Sequence, residues 1–290
     1  MSSAARRAPQ EEALVQGEYH FTEADFKAVA AMLHADAGIH LPPAKATLVY
    51  SRLAKRVRTL RLASFADYVA LVAGENGKDE RINMLAALTT NVTRYFREPH
   101  HFDLLRTQVL QPLADAAKAG ARVRLWSAGC STGQEPYSMA MTVLSVIPEA
   151  ARLDVKILAT DIDPNVVETG RRGIYNEEAV SPVPKEMRDR YLKRDRDAGQ
   201  WVVTPELRSL ITFNELNLIG DWPIKGKFDA IFCRNVVIYF EEPTQERIWG
   251  RFRTHMQPHA RLYVGHSERV GDPRFETDGL TTYRLKGGAL

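Results

Sequence analysis

The sequence predicts an α/β protein: a doubly wound, Rossmann-like sheet with a small inserted antiparallel β-subdomain, preceded by an all-α domain. Three observations predict it. Val123-Arg124-Leu125-Trp126 reads as a short buried strand, and Gly129-Cys130-Ser131-Thr132-Gly133-Gln134-Glu135-Pro136 turns from it into a helix over residues 137–147. A second strand over 155–159 closes in Thr160-Asp161-Ile162-Asp163, giving strand, glycine turn, helix and acid-ended strand in the order of a nucleotide-binding half-sheet. Finally, residues 19–90 show helical periodicity without strand alternation, whereas from residue 122 onward strands and helices alternate.

Taken in order, residues 1–18 carry Arg6, Arg7 and Pro9 but no apolar core of a secretory signal, and read as a disordered leader. Thr22-Glu23-Ala24-Asp25 is a capping start for a helix bearing Phe26, Val29, Ala30 and Leu33 on one face. Gly38 and Pro42-Pro43 break the chain before a second helix over 45–61, whose apolar face is Val49, Leu53, Val57 and Leu60. That helix carries Lys45, Arg52, Lys55, Arg56, Arg58 and Arg61 with no acid among them. On a helical wheel Lys45, Arg52, Lys55 and Arg56 line one flank, either as a solvated face or as a docking surface for something acidic, nucleic acid or an acidic protein helix.

Residues 91–121 read as a linker and connecting helix, and 122–290 as the α/β domain. Phe228-Asp229-Ala230-Ile231-Phe232-Cys233 is a further buried strand ending in Arg234-Asn235. A helix over 243–256 and a strand over 261–265 follow, with a last strand over 281–285 placed at the sheet edge. The insertion spans about 190–216, with 200–204 and 210–214 as candidate antiparallel strands.

Bulk properties narrow the field. A chain of 290 residues, 44% hydrophobic and 26% charged with a net charge of +3, suits one large or two modest globular domains. No apolar run is long enough to span a bilayer, so no membrane insertion is expected. Cys130 and Cys233 are the only cysteines and form no disulfide pattern, which points to a reducing, cytoplasmic setting. His100-His101 lacks partners at metal-ligand spacing, so no metal is read.

The glycine turn lacks the G-x-G-x-x-G of a dinucleotide site and the G-x-x-x-x-G-K-[ST] of a P-loop. Glu135 at the start of its helix stands where a pyrophosphate would need positive potential. S-adenosylmethionine (SAM) has a sulfonium and an α-amino group and no phosphate, and suits this turn, with Asp161 placed to accept hydrogen bonds from ribose hydroxyls. An NAD-type site and a purely structural turn stay open on the turn alone. The glycines are expected to let the backbone approach the ligand.

Four segments in order resemble the CheR family, the chemotaxis receptor glutamate methyltransferases. They are Asn91-Val92-Thr93-Arg94-Tyr95-Phe96-Arg97-Glu98; Trp126 through Ser138; Ala159-Thr160-Asp161-Ile162-Asp163; and Phe228 through Phe240, with Gly265-His266-Ser267-Glu268 a weaker fifth. The resemblance runs from about Tyr19 to the C-terminus. It implies SAM as cofactor, S-adenosylhomocysteine as product, and glutamate side chains on cytoplasmic helices of methyl-accepting chemoreceptors as methyl acceptors. It also implies that Glu135 holds the methionine amino group and Asp161 the ribose. Asn217 and Leu218 flank the adenine, Gly129, Arg234 and Asn235 line the pocket, and Asn91, Thr93 and Arg97 cover the cofactor. Arg97 and Tyr239 are the expected catalytic pair, and the flank of Lys45, Arg52, Lys55 and Arg56 the receptor-docking face.

One departure from the family matters. Lys193-Arg194-Asp195-Arg196-Asp197-Ala198-Gly199-Gln200 is a short loop with a single glycine, so binding of a receptor's C-terminal tether peptide is expected to be weak or absent. Two alternatives compete with the main reading. A nucleic-acid methyltransferase is disfavoured because Arg234-Asn235-Val236-Val237 stands where a Pro-Pro-Tyr-type motif would be, so no nucleic acid is expected; a non-catalytic SAM-binding adaptor is disfavoured by Arg97 and Tyr239.

Overall fold

A computed structural model describes residues 12–195 and 197–288, and these divide between Thr89 and Thr90 into two compact units. The leader's residues 1–11 lie outside the described residues. Residues 12–18 are irregular but engaged, which corrects the expected leader: the Leu14 amide donates to Phe21, and Glu18 pairs with Arg58.

The first unit is helical. Helix α1 (Glu23–Ala37) starts on the expected capping box, Thr22 and Asp25 exchanging side-chain and backbone hydrogen bonds, and ends on left-handed Gly38. Helix α2 (Ala46–Thr59) buries Val49, Leu53 and Val57, and α3 (Phe65–Ala73) and α4 (Lys78–Leu88) complete the unit. The premise that the cations of α2 have no balancing anion fails, because their partners come from distant sequence. Arg52 donates to the carbonyls of Ala87, Leu88 and Thr89 at 2.8–3.3 Å, satisfying the C-terminus of α4. Arg56 forks onto buried Glu80, which also accepts from Tyr68 at 3.0 Å. Lys45 and Lys55 are exposed.

The second unit opens with a continuous helical segment: α5 (His100–Leu104), a wide π-turn at Leu105–Leu110, and α6 (Gln111–Lys118), the wide turn lying just ahead of Pro112. Then follow β1 (Val123–Ala128), α7 (Gln134–Val146), β2 (Val155–Asp161), α8 (Pro164–Arg172), β3 (Ile174–Tyr175), α9 (Glu177–Val180) and α10 (Lys185–Tyr191). The chain continues with β4 (Leu192–Asp195), β5 (Gln200–Val203), α11 (Pro205–Arg208), β6 (Ile211–Glu215), β7 (Phe228–Cys233), α12 (Glu242–Thr254), β8 (Met256–Val264), β9 (Phe275–Thr277) and β10 (Thr282–Leu285).

The main sheet runs β6-β2-β1-β7-β8-β10-β9, parallel from β6 to β8, with β10 and β9 antiparallel. Strand order reverses between β1 and β7, and ligands bind at such switch points, outside the carboxyl ends of the strands. Both faces are covered. Leu125, Ala230 and Phe232 pack with Tyr137, Met141 and Leu144, while Trp126, Ile231 and Cys233 pack with Trp249 and Phe252. This explains why β7 is buried at every position instead of alternating.

Two expectations about the periphery are corrected. Residues 211–215 do not belong to the inserted subdomain; they form β6, parallel to β2 at the edge of the main sheet. The subdomain is a three-stranded antiparallel sheet, β3-β5-β4, whose third strand is the two-residue Ile174–Tyr175, too short to register as a period. The outer strand at the opposite edge is β9, with β10 one place inside.

Glu80 is expected to anchor the helical unit. Glu80→Ala strands the Arg56 guanidinium and the Tyr68 hydroxyl, and should lower stability by about 2 kcal/mol in urea unfolding with the m-value unchanged.

Candidate active site

The residues at the carboxyl ends of β1, β2, β7 and β8 converge around two buried carboxylates. Glu135 sits in the first turn of α7, entered through left-handed Gly133. Its Oε1 accepts from Ser127 Oγ at 2.7 Å and its Oε2 from Arg234 Nη1 at 3.2 Å. Burial raises the Glu135 carboxyl above its ordinary range, an effect that Arg234 and Ser127 only partly offset. Asp161, closing β2, accepts from the Ser131 amide at 2.8 Å and the Asp163 amide at 3.1 Å, and burial raises it too.

Arg234 is buried and shared. Besides Glu135 it lies 3.4 Å from Glu98, donates to the Arg97 carbonyl, and sets its guanidinium 5.7 and 5.8 Å from the ring centres of Phe102 and Phe232, which pack against each other. Its charge offsets those of the two carboxylates beside it. Glu98 also accepts from His266 Nδ1 at 3.0 Å. Burial would raise it, but Arg234 and His266 outweigh burial and hold its carboxyl below the ordinary value. Contrary to the expectation for the histidine pair, Glu98 also lies 3.5 Å from His101. His101 is buried, driven to a pKa of about 3 by burial and the charge of Arg234, and bonded through Nε2 to Thr281 Oγ1 at 2.9 Å, so it is neutral. Among the described residues no group of three His, Cys, Asp or Glu side chains is placed to hold a metal.

The glycines act differently from the expectation. A Cβ on Gly129 would come within 2.3 Å of Val236 Cγ2, and one on Gly133 within 2.8 Å of Gly170 Cα and the Tyr175 hydroxyl. Both have φ above +90° or at it, but the space they save is taken by protein, so they let the loop after β7 and helix α8 close onto the turn. Four non-glycine residues around the site, Phe96, Glu98, Ser131 and Asn235, are also left-handed, with φ between 49° and 60°.

The other expected residues divide. Asn91 donates to Asp163 Oδ2 at 3.0 Å and accepts from Ser131 Oγ through its carbonyl, which ties the 91–98 segment to the Asp161 loop. Arg97 is half-buried and donates to the Val92 carbonyl at 3.0 Å. Asn217 accepts from the Ile219 amide and thereby shapes its own turn, and Leu218 is buried in the core with Trp126 and Trp222. Tyr239 is half-buried in a single turn of 3-10 helix that follows Asn235, and Thr93 is half-buried beside Val92. Cys130 and Cys233 are buried free thiols, both pushed well above their ordinary pKa by burial. Ser127, Glu98, Asp163 and Glu268 were not singled out from the sequence for any role. All four lie within the resembling segments, and that is the one signal they carry.

Comparison with known proteins follows the same division of the chain. Residues 24–89 match the family model described as the CheR methyltransferase all-alpha domain, and residues 91–283 match the CheR methyltransferase SAM binding domain. A Rhizobium etli relative named "Probable chemotaxis protein methyltransferase" is 52% identical over 87% of this chain and 96% of its own length. "Chemotaxis protein methyltransferase 2" of Pseudomonas aeruginosa is 42% identical over 87% of this chain and 88% of its own length. "Chemotaxis protein methyltransferase" of Escherichia coli is 37% identical over 91% of both.

The donor set fits SAM. Two buried carboxylates and the Asn235 Oδ1, a buried acceptor without a hydrogen-bond partner among the described residues, suit an ammonium and hydroxyls, and Glu135 repels phosphate from the start of α7. Only the anionic form of Glu135 attracts an ammonium. Because that carboxyl is raised, the anion is lost as pH falls through a midpoint above 4.5, the ordinary glutamate value. SAM affinity measured by calorimetry should therefore weaken toward acid pH over that window. Glu135→Gln should cost about tenfold at pH 7, the equivalent of about 1.4 kcal/mol, and flatten the acid limb.

Proposed function

The chain belongs to the CheR methyltransferase family, SAM-dependent methyltransferases of chemotaxis, and we propose that it methylates glutamate side chains on the cytoplasmic helices of chemoreceptors. The observation that carries this reading is the paired buried carboxylates at the switch point, with Arg97 and Tyr239 in the two loops beside them.

Bound SAM supplies a methyl carbon on a sulfonium, which a carboxylate oxygen accepts without proton transfer, leaving a methyl ester and S-adenosylhomocysteine. A glutamate carboxylate is already ionised at neutral pH, its unperturbed pKa being about 4.3, so no general base is needed. Glu135 holds the ammonium and Asp161 the ribose hydroxyls, while the turn at Asn217 and Leu218 borders the adenine. Asn91 and Thr93 cover the cofactor. Arg97, with four guanidinium N–H donors beyond the one given to Val92, orients the incoming carboxylate, and the Tyr239 hydroxyl assists it. Exclusion of water from the acceptor oxygen raises the energy of a carboxylate that loses its charge on transfer.

The decisive assay combines methyl-labelled SAM, receptor-bearing membranes and mild alkali. Volatile labelled methanol establishes a carboxyl methyl ester on receptor. A SAM-binding protein that leaves receptor unlabelled would instead be the adaptor. Arg97→Ala should lower turnover by about a hundredfold and SAM affinity by much less. Full turnover in that variant would remove Arg97 from the mechanism.

Receptor docking is assigned to the basic flank of α2, in a cytoplasmic setting. Since Arg52 and Arg56 also brace the helical unit, Lys45 and Lys55 are the positions that report on docking alone. Lys45→Glu/Lys55→Glu should raise KM for receptor severalfold and weaken its salt dependence, leaving SAM affinity intact. In the same assays a receptor C-terminal peptide should neither bind nor compete.

A further inference from the structure

The loop after β7 is held by a carboxylate that the proposed chemistry does not use. Asn235, Val236, Val237 and Ile238 turn their successive backbone amides toward one point, and buried Glu268 occupies it. Its Oε1 accepts from Val236, Val237 and Ile238 at 2.8, 2.7 and 3.3 Å, and its Oε2 accepts from Asn235 at 2.8 Å and Gly265 at 2.6 Å. Consecutive amides arranged in this way form an anion-binding nest, and here the anion is the protein's own.

The contact reaches the active site on two sides. Asn235 adopts a left-handed backbone (φ 60°), and the bond from its amide to Glu268 offsets the cost of that conformation. The end of β8 presses so close that a Cβ on Gly265 would lie 2.5 Å from Asn235 Nδ2. One residue on, Val236 fills the space beside Gly129 where a Cβ would stand, so the same loop walls the glycine turn. Tyr239 follows within the same turn of helix.

We propose that Glu268 is a positioning residue: by filling the amide nest it fixes Asn235 and Val236 against the SAM site. This deepens the reading of the site given above and uses Asn235 as a cofactor contact. In Glu268→Gln one carboxylate oxygen becomes an NH2 group facing two or three N–H donors, so the loop must move although the side-chain volume is nearly unchanged.

The test is a double-mutant cycle on SAM affinity, measured by calorimetry with the full chain, with melting temperatures of all variants recorded. Asn235→Gly removes the side chain while keeping left-handed backbone accessible. Glu268→Gln and Asn235→Gly are each expected to weaken SAM about tenfold, with the double variant no weaker than about the worse single one, because both lose the same placed group. An unchanged affinity in Glu268→Gln, or losses that multiply to about a hundredfold in the double variant, overturns the proposal, since a merely structural role acts independently of Asn235. Asn235→Gly with wild-type affinity would refute the Asn235 contact by itself, and the single Glu268→Gln measurement then decides whether Glu268 positions the wall at Val236. Glu268→Asp, which keeps the charge but falls short of the nest, should show an intermediate loss, and serves if the glutamine variant does not fold.

Discussion

The buried guanidinium of Arg234 is the interaction on which the site's geometry depends. It neutralises Glu135 and Glu98, donates to the Arg97 carbonyl and lies against a pair of aromatic rings. Three separate parts of the sequence, the 97–98 segment, the start of α7 and the end of β7, thus meet at one charge. A buried carboxylate without a cation is costly, and one with too strong a cation has nothing left for a ligand. Here Glu135 stays above its ordinary range despite Arg234, so its attraction for a further positive charge is only partly spent.

The loops around that charge adopt backbone conformations that side chains resist, and at three of the four left-handed residues a specific bond to the amide offsets the cost. The Phe96 amide donates to Ser138 Oγ at 3.0 Å, the Ser131 amide to Asp161, and the Asn235 amide to Glu268. The strain is concentrated at the carboxyl edge of the sheet, while β1 beneath it keeps regular parallel register with β2 and β7. A rigid sheet carrying constrained loops can hold a ligand in one orientation at little ordering cost on binding.

The parts legible in the sequence were those encoded locally. The capping box of α1, the strand-turn-helix at Gly129 and the acid closing β2 each depend on neighbours within a few residues, and each lies where its pattern indicated. What escaped was encoded across distance. Glu80 and Glu18 pair with Arg56 and Arg58 over 24 and 40 residues, so a local count of charges on α2 finds no anion. Residues 211–215 have the composition of any short strand, and only the sheet decides that they pair with β2 rather than with the subdomain. Glu98 and Glu268 lie in segments the resemblance covers, but their roles depend on Arg234 and on four amides of another loop. The glycines of the turn stand out in the sequence, but packing alone reveals that Val236 and Gly170 occupy the space a Cβ would need.

The two buried thiols have a practical consequence. Cys130 lies in the glycine turn and Cys233 at the end of β7, both enclosed and both disfavoured as thiolates, the form that reacts. The native chain is therefore nearly silent toward maleimides while it stays folded. One cysteine introduced on the exposed face of α2 and a second on the β3-β5-β4 sheet would carry a pair of spin labels at known positions without first removing either natural sulfur, making distance measurements between the two units directly accessible.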